Sequence, residues 1–589
     1  MCGIAGIVGG DPLHRAARGR AMLDALAHRG PDAQTDLATG EAWLGCTRLA
    51  IRGGDAGAQP LQTRRGHLVF NGEIYNTSEL VKDLAWHGVT VSGDSDTEVV
   101  GALLDIYGIK AVDRLNGMFA VAWYDGASAW LARDPAGVKP LYYKHEGNEL
   151  SFASEMRPLL GSSPAACADA ISRWMLFHVA YGYETFFEGV KRVPPGGVMV
   201  FTQVDGFLRT VRTRDPSMAF STPNPALTPE RLGKVLQRAV RDARHTDPDE
   251  HCGVALSGGV DSSIVAAGLP KNTIAFHGRV DAPGCDESPH ARAAANELGL
   301  DLVEVPITAE DCWRALPDVV SALEEPGAGP GSVAQWLVAK RASQDVRILF
   351  SGCGGDELFG GYARLAALLS KDGIPPAHLA NYLPLFERVA GLSPADRALA
   401  LLDRRTPALF QPEFVAAHPA PTEAFTEAFG AGGLETHAAA AEAEMRLTLP
   451  ALLHIEDRVG MAFGVESRVP LLDRRLLRSA MRLPEEARVG PGGELKALLK
   501  SAAASMLPQS VRSRRDKMGF PLPLGDWIRG PWNAGAREIL LDRRTKERGI
   551  LDTVAVEAAL NNTDRKHPYD RGLYAGLVLE LWHRAFLDR

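Results

Sequence analysis

Hydrophobic and polar positions along this chain follow two rhythms, and the change between them divides it. Over the first two hundred residues the apolar pieces are short: Gly3 to Val8, His67-Leu-Val-Phe70, Phe119-Ala-Val-Ala-Trp123 and Ala129-Trp-Leu-Ala132, bounded by Gly, Asp and Asn. Runs of that length between turn residues predict strands. Helical stretches near residues 78–87 and 96–107 are interleaved with them. The pattern predicts an α+β sandwich of packed sheets flanked by helices, over residues 1–210.

Residues 211–227 carry three prolines among Ser, Thr and Asp and predict a linker. Thr228 then caps a helix with Pro229 at its first position, and Leu232, Leu236, Ala239 and Val240 share one face. From there the rhythm alternates through residue 589. Val254 to Leu256, Thr273 to Phe276, Leu302 to Val305 and Val346 to Phe350 are strand-like, with helical patterns at Ser288 to Leu298 and Val333 to Ser343. Such alternation predicts a parallel sheet with helices on both faces, and ligands at the carboxyl ends of its strands.

Composition narrows the class. With 46% hydrophobic and 23% charged residues and a net charge of −8, the chain is that of a soluble globular protein with no nucleic-acid surface. No apolar run is long enough for a bilayer and no signal-peptide pattern opens the sequence, so the cytoplasm is the expected location. The seven cysteines are scattered and never spaced Cys-x-x-Cys, which argues against zinc ribbons and disulfide frameworks.

Two loops fall at carboxyl ends of predicted strands. Leu256-Ser257-Gly258-Gly259 runs into a helix opened by Asp261 and Ser262. Glycines let the backbone approach a ligand, and the helix N-terminus favours an anion; the anion inferred is pyrophosphate, held as ATP is cleaved between its α and β phosphates. The spacing is not that of a P-loop ending Gly-Lys-Ser/Thr. The second loop, Ser351-Gly352-Cys353-Gly-Gly-Asp356-Glu357, brings Asp356 to face Asp261, and these two carboxylates are the candidates to hold the Mg²⁺ that accompanies ATP.

At the other end, Cys2 opens the first strand. Removal of Met1 would give the same residue a thiol and an α-amine, which can act as nucleophile and general base. Cys2-Gly-Ile is followed by His28-Arg-Gly-Pro-Asp32, Thr47-Arg-Leu-Ala-Ile51, Asn71-Gly-Glu-Ile-Tyr-Asn76 and Ser95-Asp-Thr-Glu98. This ordered set resembles the glutaminase domain of the N-terminal-nucleophile (class II) glutamine amidotransferases. With the later loops, the chain resembles the asparagine synthetase family over nearly its whole length.

The resemblance implies an αββα N-terminal-nucleophile sandwich followed by an α/β ATP-pyrophosphatase domain. It implies that Cys2 attacks glutamine, that Asn71 and the Gly72 N–H stabilise the oxyanion, that Arg48 holds the α-carboxylate, and that Glu73 and Asp96 hold the α-ammonium. ATP binding is implied at Leu256, Ser257, Gly258, Gly259, Asp261, Ser262, Ser351 and Gly352. Arg514-Arg-Asp-Lys517 resembles the family's basic loop, with Lys517 as its lysine; Arg514 and Arg515 read as solvated charges. The implied partners are glutamine, ATP and a carboxylic acid, with Mg²⁺ and a homodimer, and the expected acceptor is aspartate. An apolar internal passage for ammonia is also expected.

Three departures and candidates remain. Glu456, Asp457 and Arg458 are candidates on the substrate side. Arg52-Gly-Gly-Asp55 is looser than the family pattern, in a way expected to touch no assigned role. Cys353 stands where most asparagine synthetases carry an acid, so either Glu357 or Glu456 substitutes, or the acceptor is another carboxylate, on a sugar, a cell-wall precursor or a secondary metabolite.

Overall fold

The computed structural model describes residues 2–588 apart from 92–94, 181, 205–206, 215–226, 248–249, 328, 371–373, 404–406, 420–421, 423–435, 482, 515–521 and 563–570. The N-terminal part contains strands β1 (Cys2–Gly9), β2 (Ala33–Thr39), β3 (Ala42–Arg48), β4 (Leu61–Gln62), β5 (His67–Ile74), β6 (Gly117–Tyr124), β7 (Ser128–Arg133), β8 (Tyr142–Glu146), β9 (Glu149–Ala153), β10 (Val190–Arg192), β11 (Val198–Val204) and β12 (Phe207–Arg214). They form two six-stranded sheets, β10-β8-β9-β1-β3-β2 and β12-β11-β7-β6-β5-β4. Strand β12 runs to Arg214, past the boundary at 210 expected from sequence, while most of the expected linker lies outside the described residues.

Alternation along the strands decides which side chains meet. On β1, Ile4 and Val8 pack with Val69 of β5 and Ala120 of β6 between the sheets, while Ala5 and Ile7 face outward onto Met22 and Leu23 of helix α1 (Pro12–Asp24). Leu68 and Phe70 of β5 likewise face outward, onto helices α2 (Thr77–Trp86) and α3 (Asp96–Tyr107). The layers are therefore helix, sheet, sheet, helix. Because side chains two apart share a face, Cys2 follows Ile4, and Asn71 and Glu73 follow Val69, into the space between the sheets. Ile4, Ile7 and Val8 are buried, each contributing about 1.5–3 kcal/mol, so the strand that carries Cys2 is firmly anchored.

The C-terminal part is built on a parallel sheet of β13 (Cys252–Ala255), β14 (Ile274–Val280), β15 (Asp301–Ile307), β16 (Ile348–Phe350) and β17 (Glu466–Arg468), in the spatial order β15-β14-β13-β16-β17. The order reverses between β13 and β16, and the crevice at such a reversal is where open α/β sheets hold ligands. The helix Pro229–Asp242 precedes this sheet, with the Thr228 hydroxyl accepting from the Arg231 N–H as its cap. Strand β17 escaped sequence analysis because it is only three residues long and reads Glu-Ser-Arg; its charges are buried and paired with each other. Among the described residues, no helix is long and apolar enough to cross a membrane.

Candidate active site

The first cluster surrounds Cys2. Its backbone N–H donates to Asn71 Oδ1 at 3.0 Å, and the other end of that amide, Nδ2, is buried with no partner. Gln59 Nε2 reaches the Cys2 sulfur at 3.8 Å and Thr97 Oγ1 at 3.4 Å, which brings the start of α3 to the thiol. A side-chain hydrogen bond with Cys46, helped by the positive chain terminus and Arg48, outweighs burial and draws the Cys2 thiol down to about 6. A Cβ at position 72 would fall 2.1 Å from the Met118 carbonyl oxygen, so only glycine lets β5 and β6 approach so closely there.

The charged residues expected around glutamine lie beside this cluster with partners that sequence analysis did not foresee. Glu73 Oε1 pairs with Arg52 at 2.6 Å, and Glu73 Oε2 lies 3.4 Å from Arg468 of β17. The Arg52 segment therefore does touch an assigned residue, contrary to expectation, because Arg52 brings a cation against the buried Glu73 carboxylate. Among the described residues Asp96 has no ion pair; it accepts the Ile74 N–H at 3.3 Å, and burial followed by the Glu73 charge raises its carboxyl to about 7. Arg48 Nη2 donates to the backbone carbonyls of Arg52, at 3.4 Å, and Gly54.

The second cluster lies at the sheet reversal, around a cavity of about 380 Å³. Its walls include Leu256, Ser257, Asp261 and Ser262 after β13, and Ser351, Gly352, Cys353 and Asp356 after β16; Phe276, Val280 and Leu349 form the apolar side. A volume of this size suits a small-molecule ligand. Gly258, at φ +67°, makes the turn, and Ser262 Oγ ties the loop to Ser257 Oγ at 3.1 Å and to the Gly259 carbonyl at 3.3 Å. A Cβ on Gly352 would lie 2.6 Å from the Ser262 nitrogen, so the two loops touch.

Asp261 and Asp356 converge as expected, and what joins them is Lys496. Its ammonium pairs with Asp261 Oδ2 and, at 2.5 Å, with Asp356 Oδ1. Lys496 is buried in a left-handed backbone conformation (φ +58°), and the two carboxylates hold its ammonium above the ordinary lysine range against burial. Sequence analysis missed it, since a lysine before an apolar helical pattern looks like a solvated charge. Two facing hard-oxygen donors suit Mg²⁺ arriving with ATP, whose phosphates and waters would complete the shell. Among the described residues, no group of three or more His, Cys, Asp or Glu forms a metal cage by itself.

The helix Leu449–Met461 separates the three remaining candidates. Glu456 lines the cavity. Asp457 and Arg458 turn away from it into the boundary between the two parts: Asp457 pairs with Arg29 at 2.9 Å and Lys139 at 3.7 Å, and Arg458 with Glu155 and Glu324 at 2.5 Å each. Helical geometry explains the split, since adjacent residues are about 100° apart. Arg514 also departs from expectation, being buried against Glu287 and donating to the Gly258 carbonyl at 3.4 Å rather than standing in solvent. Lys517 and Arg515 lie outside the described residues.

Residues 231–584 match the Asparagine synthase family model, and residues 1–209 match the Glutamine amidotransferase domain. The chain is 29% identical over 631 residues to asparagine synthetase [glutamine-hydrolyzing] 1 of Bacillus subtilis (strain 168), covering 100% of this chain and 97% of that protein. It is 26% identical over 613 residues to asparagine synthetase B of Escherichia coli (strain K12), covering 99% and 91%. A third relative, 26% identical over 662 residues with 96% and 95% covered, is the amidase chry2 of Gibberella zeae. The protein described above belongs to the asparagine synthase family, and carries a class II glutamine amidotransferase domain ahead of the synthase domain.

Proposed function

We propose that this chain converts aspartate to asparagine, with ATP cleaved to AMP and pyrophosphate and glutamine hydrolysed to glutamate. It is a glutamine-hydrolysing, asparagine synthetase-like amidotransferase, a carbon–nitrogen ligase with ATP as a substrate. The observation that carries the acceptor assignment is likeness to glutamine-hydrolysing asparagine synthetases along the full length of the chain. Pyrophosphate release, screened over carboxylic acids with ATP and ammonia, tests it: aspartate is expected to give the highest rate, and none with aspartate would end the assignment. Cys353, together with the amidase relative, motivates a second reading in which a different carboxylate is amidated, and the same screen decides between them.

In the glutaminase half, the Cys2 sulfur adds to the carboxamide carbon. The charge that develops on oxygen is met by Asn71 Nδ2, a buried donor with nothing else to bond, and by the Gly72 N–H. The nitrogen takes a proton from the α-ammonium of a processed Cys2 and leaves as ammonia, and water releases glutamate from the thioester. Asp96 receives the substrate ammonium and Arg48 its carboxylate, once Arg48 exchanges a backbone carbonyl for it.

In the synthase half, the Ser257–Ser262 loop and Ser351 cradle the phosphates while the acceptor carboxylate attacks the α-phosphorus and pyrophosphate leaves. Mg²⁺, held by Asp261 and Asp356, would neutralise phosphate charge. Lys496 offers a fixed cation beside the same oxygens, and Lys517 is proposed to add a second. Ammonia must pass between the halves without meeting bulk water. The Leu49 N–H touches the Cys2 thiol, Leu256 lines the nucleotide cavity, and both belong to one apolar cluster with Ile51, Met118 and Val469. That shared apolar packing supports a dry route.

A further inference from the structure

Cys353 stands on the β16 loop at the wall of the cavity, where the sequence resemblance leads one to expect an acid, and its thiol cannot stand in for one. It is half-buried at the cavity wall, and desolvation there, reinforced by the charges of Glu456 and Glu357, pushes it well above the ordinary thiol range, so it remains S–H. Yet a carboxylate does enter the same cavity from another element. Glu456 lines the wall beside Cys353, Ser351 and Ser467. Ser467 Oγ donates to Glu456 Oε1 at 3.0 Å, and the Ser351 hydroxyl and the Cys353 thiol also hydrogen-bond to this carboxylate.

Three neutral donors from two strand ends thus hold one acceptor in place, and Cys353 is one of them. The next residue on the helix, Asp457, is fixed by Arg29 and Lys139, which sets the helix rotation that aims Glu456 inward. Glu357, the other acid nearby, is taken by the Tyr362 hydroxyl and does not line the cavity. Burial raises the Glu456 carboxyl from its ordinary value, which suits a group that must accept a proton near neutral pH.

We propose that Glu456 supplies, from the helix Leu449–Met461, the carboxylate that the β16 loop lacks at Cys353, and that it receives the proton shed by ammonia during amidation. The inference rests on the adenylation reading above. Ammonia's lone pair forms the new C–N bond at the acyl carbon. The C–O bond to AMP breaks, its electron pair going to the phosphate oxygen. One N–H proton passes to Glu456 and from there to water, and nothing is oxidised or reduced. Cys353 is a positioning residue, its S–H orienting the carboxylate that stands in for the absent acid.

The test separates the two half-reactions in Glu456→Gln, which keeps the shape and one acceptor oxygen for the Ser467 hydroxyl but removes the basic carboxylate. With aspartate, ATP and labelled pyrophosphate, isotope exchange reads adenylation; with ammonium chloride added, asparagine reads amidation. The ratio of amide formed to pyrophosphate exchanged is expected to fall by about 10²–10⁴. Adding Cys353→Glu to that variant is expected to recover at least a tenfold part of the loss, which a merely structural role of Glu456 would not allow. Amide formation at the wild-type rate beside normal exchange would overturn this inference alone, and so would equal loss of both half-reactions without rescue. Absence of acid-dependent exchange in the wild-type enzyme, over the whole acceptor panel, would overturn the adenylation reading and this inference with it.

Discussion

Cys2 and Asn71 meet through the backbone of one and the side chain of the other: the Cys2 N–H donates to Asn71 Oδ1 at 3.0 Å, and Nδ2 of the same amide is buried and unbonded. One oriented carboxamide therefore fixes the strand that bears the thiol and presents a donor where negative charge will form. Asn71→Ala should lower the glutaminase kcat by about 10²–10³. Ammonia-driven amide formation should be unchanged. Cys2→Ala should abolish glutamate release and likewise spare the ammonia-driven reaction. Loss of the ammonia-driven reaction in either variant would contradict the division of labour.

Glutamine binding should depend on pH through Asp96. Burial and the Glu73 charge place its carboxyl at about 7, and only the ionised form attracts the substrate ammonium. The ionised fraction falls as pH drops through that value, so KM for glutamine should rise about tenfold per pH unit below it and level off above. Asp96→Asn should raise KM and flatten the profile. A KM for glutamine that stays constant between about pH 6 and 8 would show that Asp96 does not bind the ammonium.

Removing Lys496 leaves Asp261 and Asp356 facing each other without their shared cation. Breaking a buried ion pair from one side costs about 3–5 kcal/mol, so Lys496→Ala should lower Tm clearly. If the same carboxylates hold Mg²⁺, added Mg²⁺ should recover part of that Tm in Lys496→Ala and not in the double variant with Asp356→Asn. Thermal unfolding with and without the ion checks this.

Arg29 joins the two parts, bonding Glu155 and Asp457 at 2.9 Å each and reaching the Cys2 carbonyl at 3.5 Å. Arg29→Ala would leave Glu155 to Arg458 and Asp457 to Lys139 alone, 3.7 Å away, a loss of at most about 3–5 kcal/mol. Coupling should suffer too: the ratio of glutamate to amide should be higher in the variant than in the wild type. Product ratios measured under steady state decide it.

What could be read from the sequence was what lies close along the chain. Short apolar runs between turn residues marked the strands at Gly3–Val8 and His67–Phe70, although β5 runs on through Asn71 and Glu73 to Ile74, and Gly-rich turns after apolar runs marked the Ser257 and Ser351 loops, which the structure brings to one cavity. What could not be read was the choice of partners over long separations. Nothing local distinguishes Lys496 from a surface lysine, Arg52 from a loop charge, or Asp457 from its neighbour Glu456; their partners lie on other elements, 21 residues away for Arg52, 235 for Lys496 and 428 for Asp457. Buried charges with distant counter-ions violate the rule that charged residues face solvent, and that rule is what misplaced Arg514.

Arg468 gives one residue to both chemistries. Its carbonyl accepts the Ser351 N–H at 2.9 Å at the mouth of the nucleotide cavity, while its guanidinium stands 3.4 Å from Glu73 on the glutamine side. The halves are consequently not interchangeable cassettes. A chimera that grafts a foreign ammonia-producing module onto this synthase leaves that guanidinium with Glu466 of its own strand but without its partner across the seam, unless it also imports a carboxylate at the position of Glu73, so these two residues are best moved together whenever the gene is recombined.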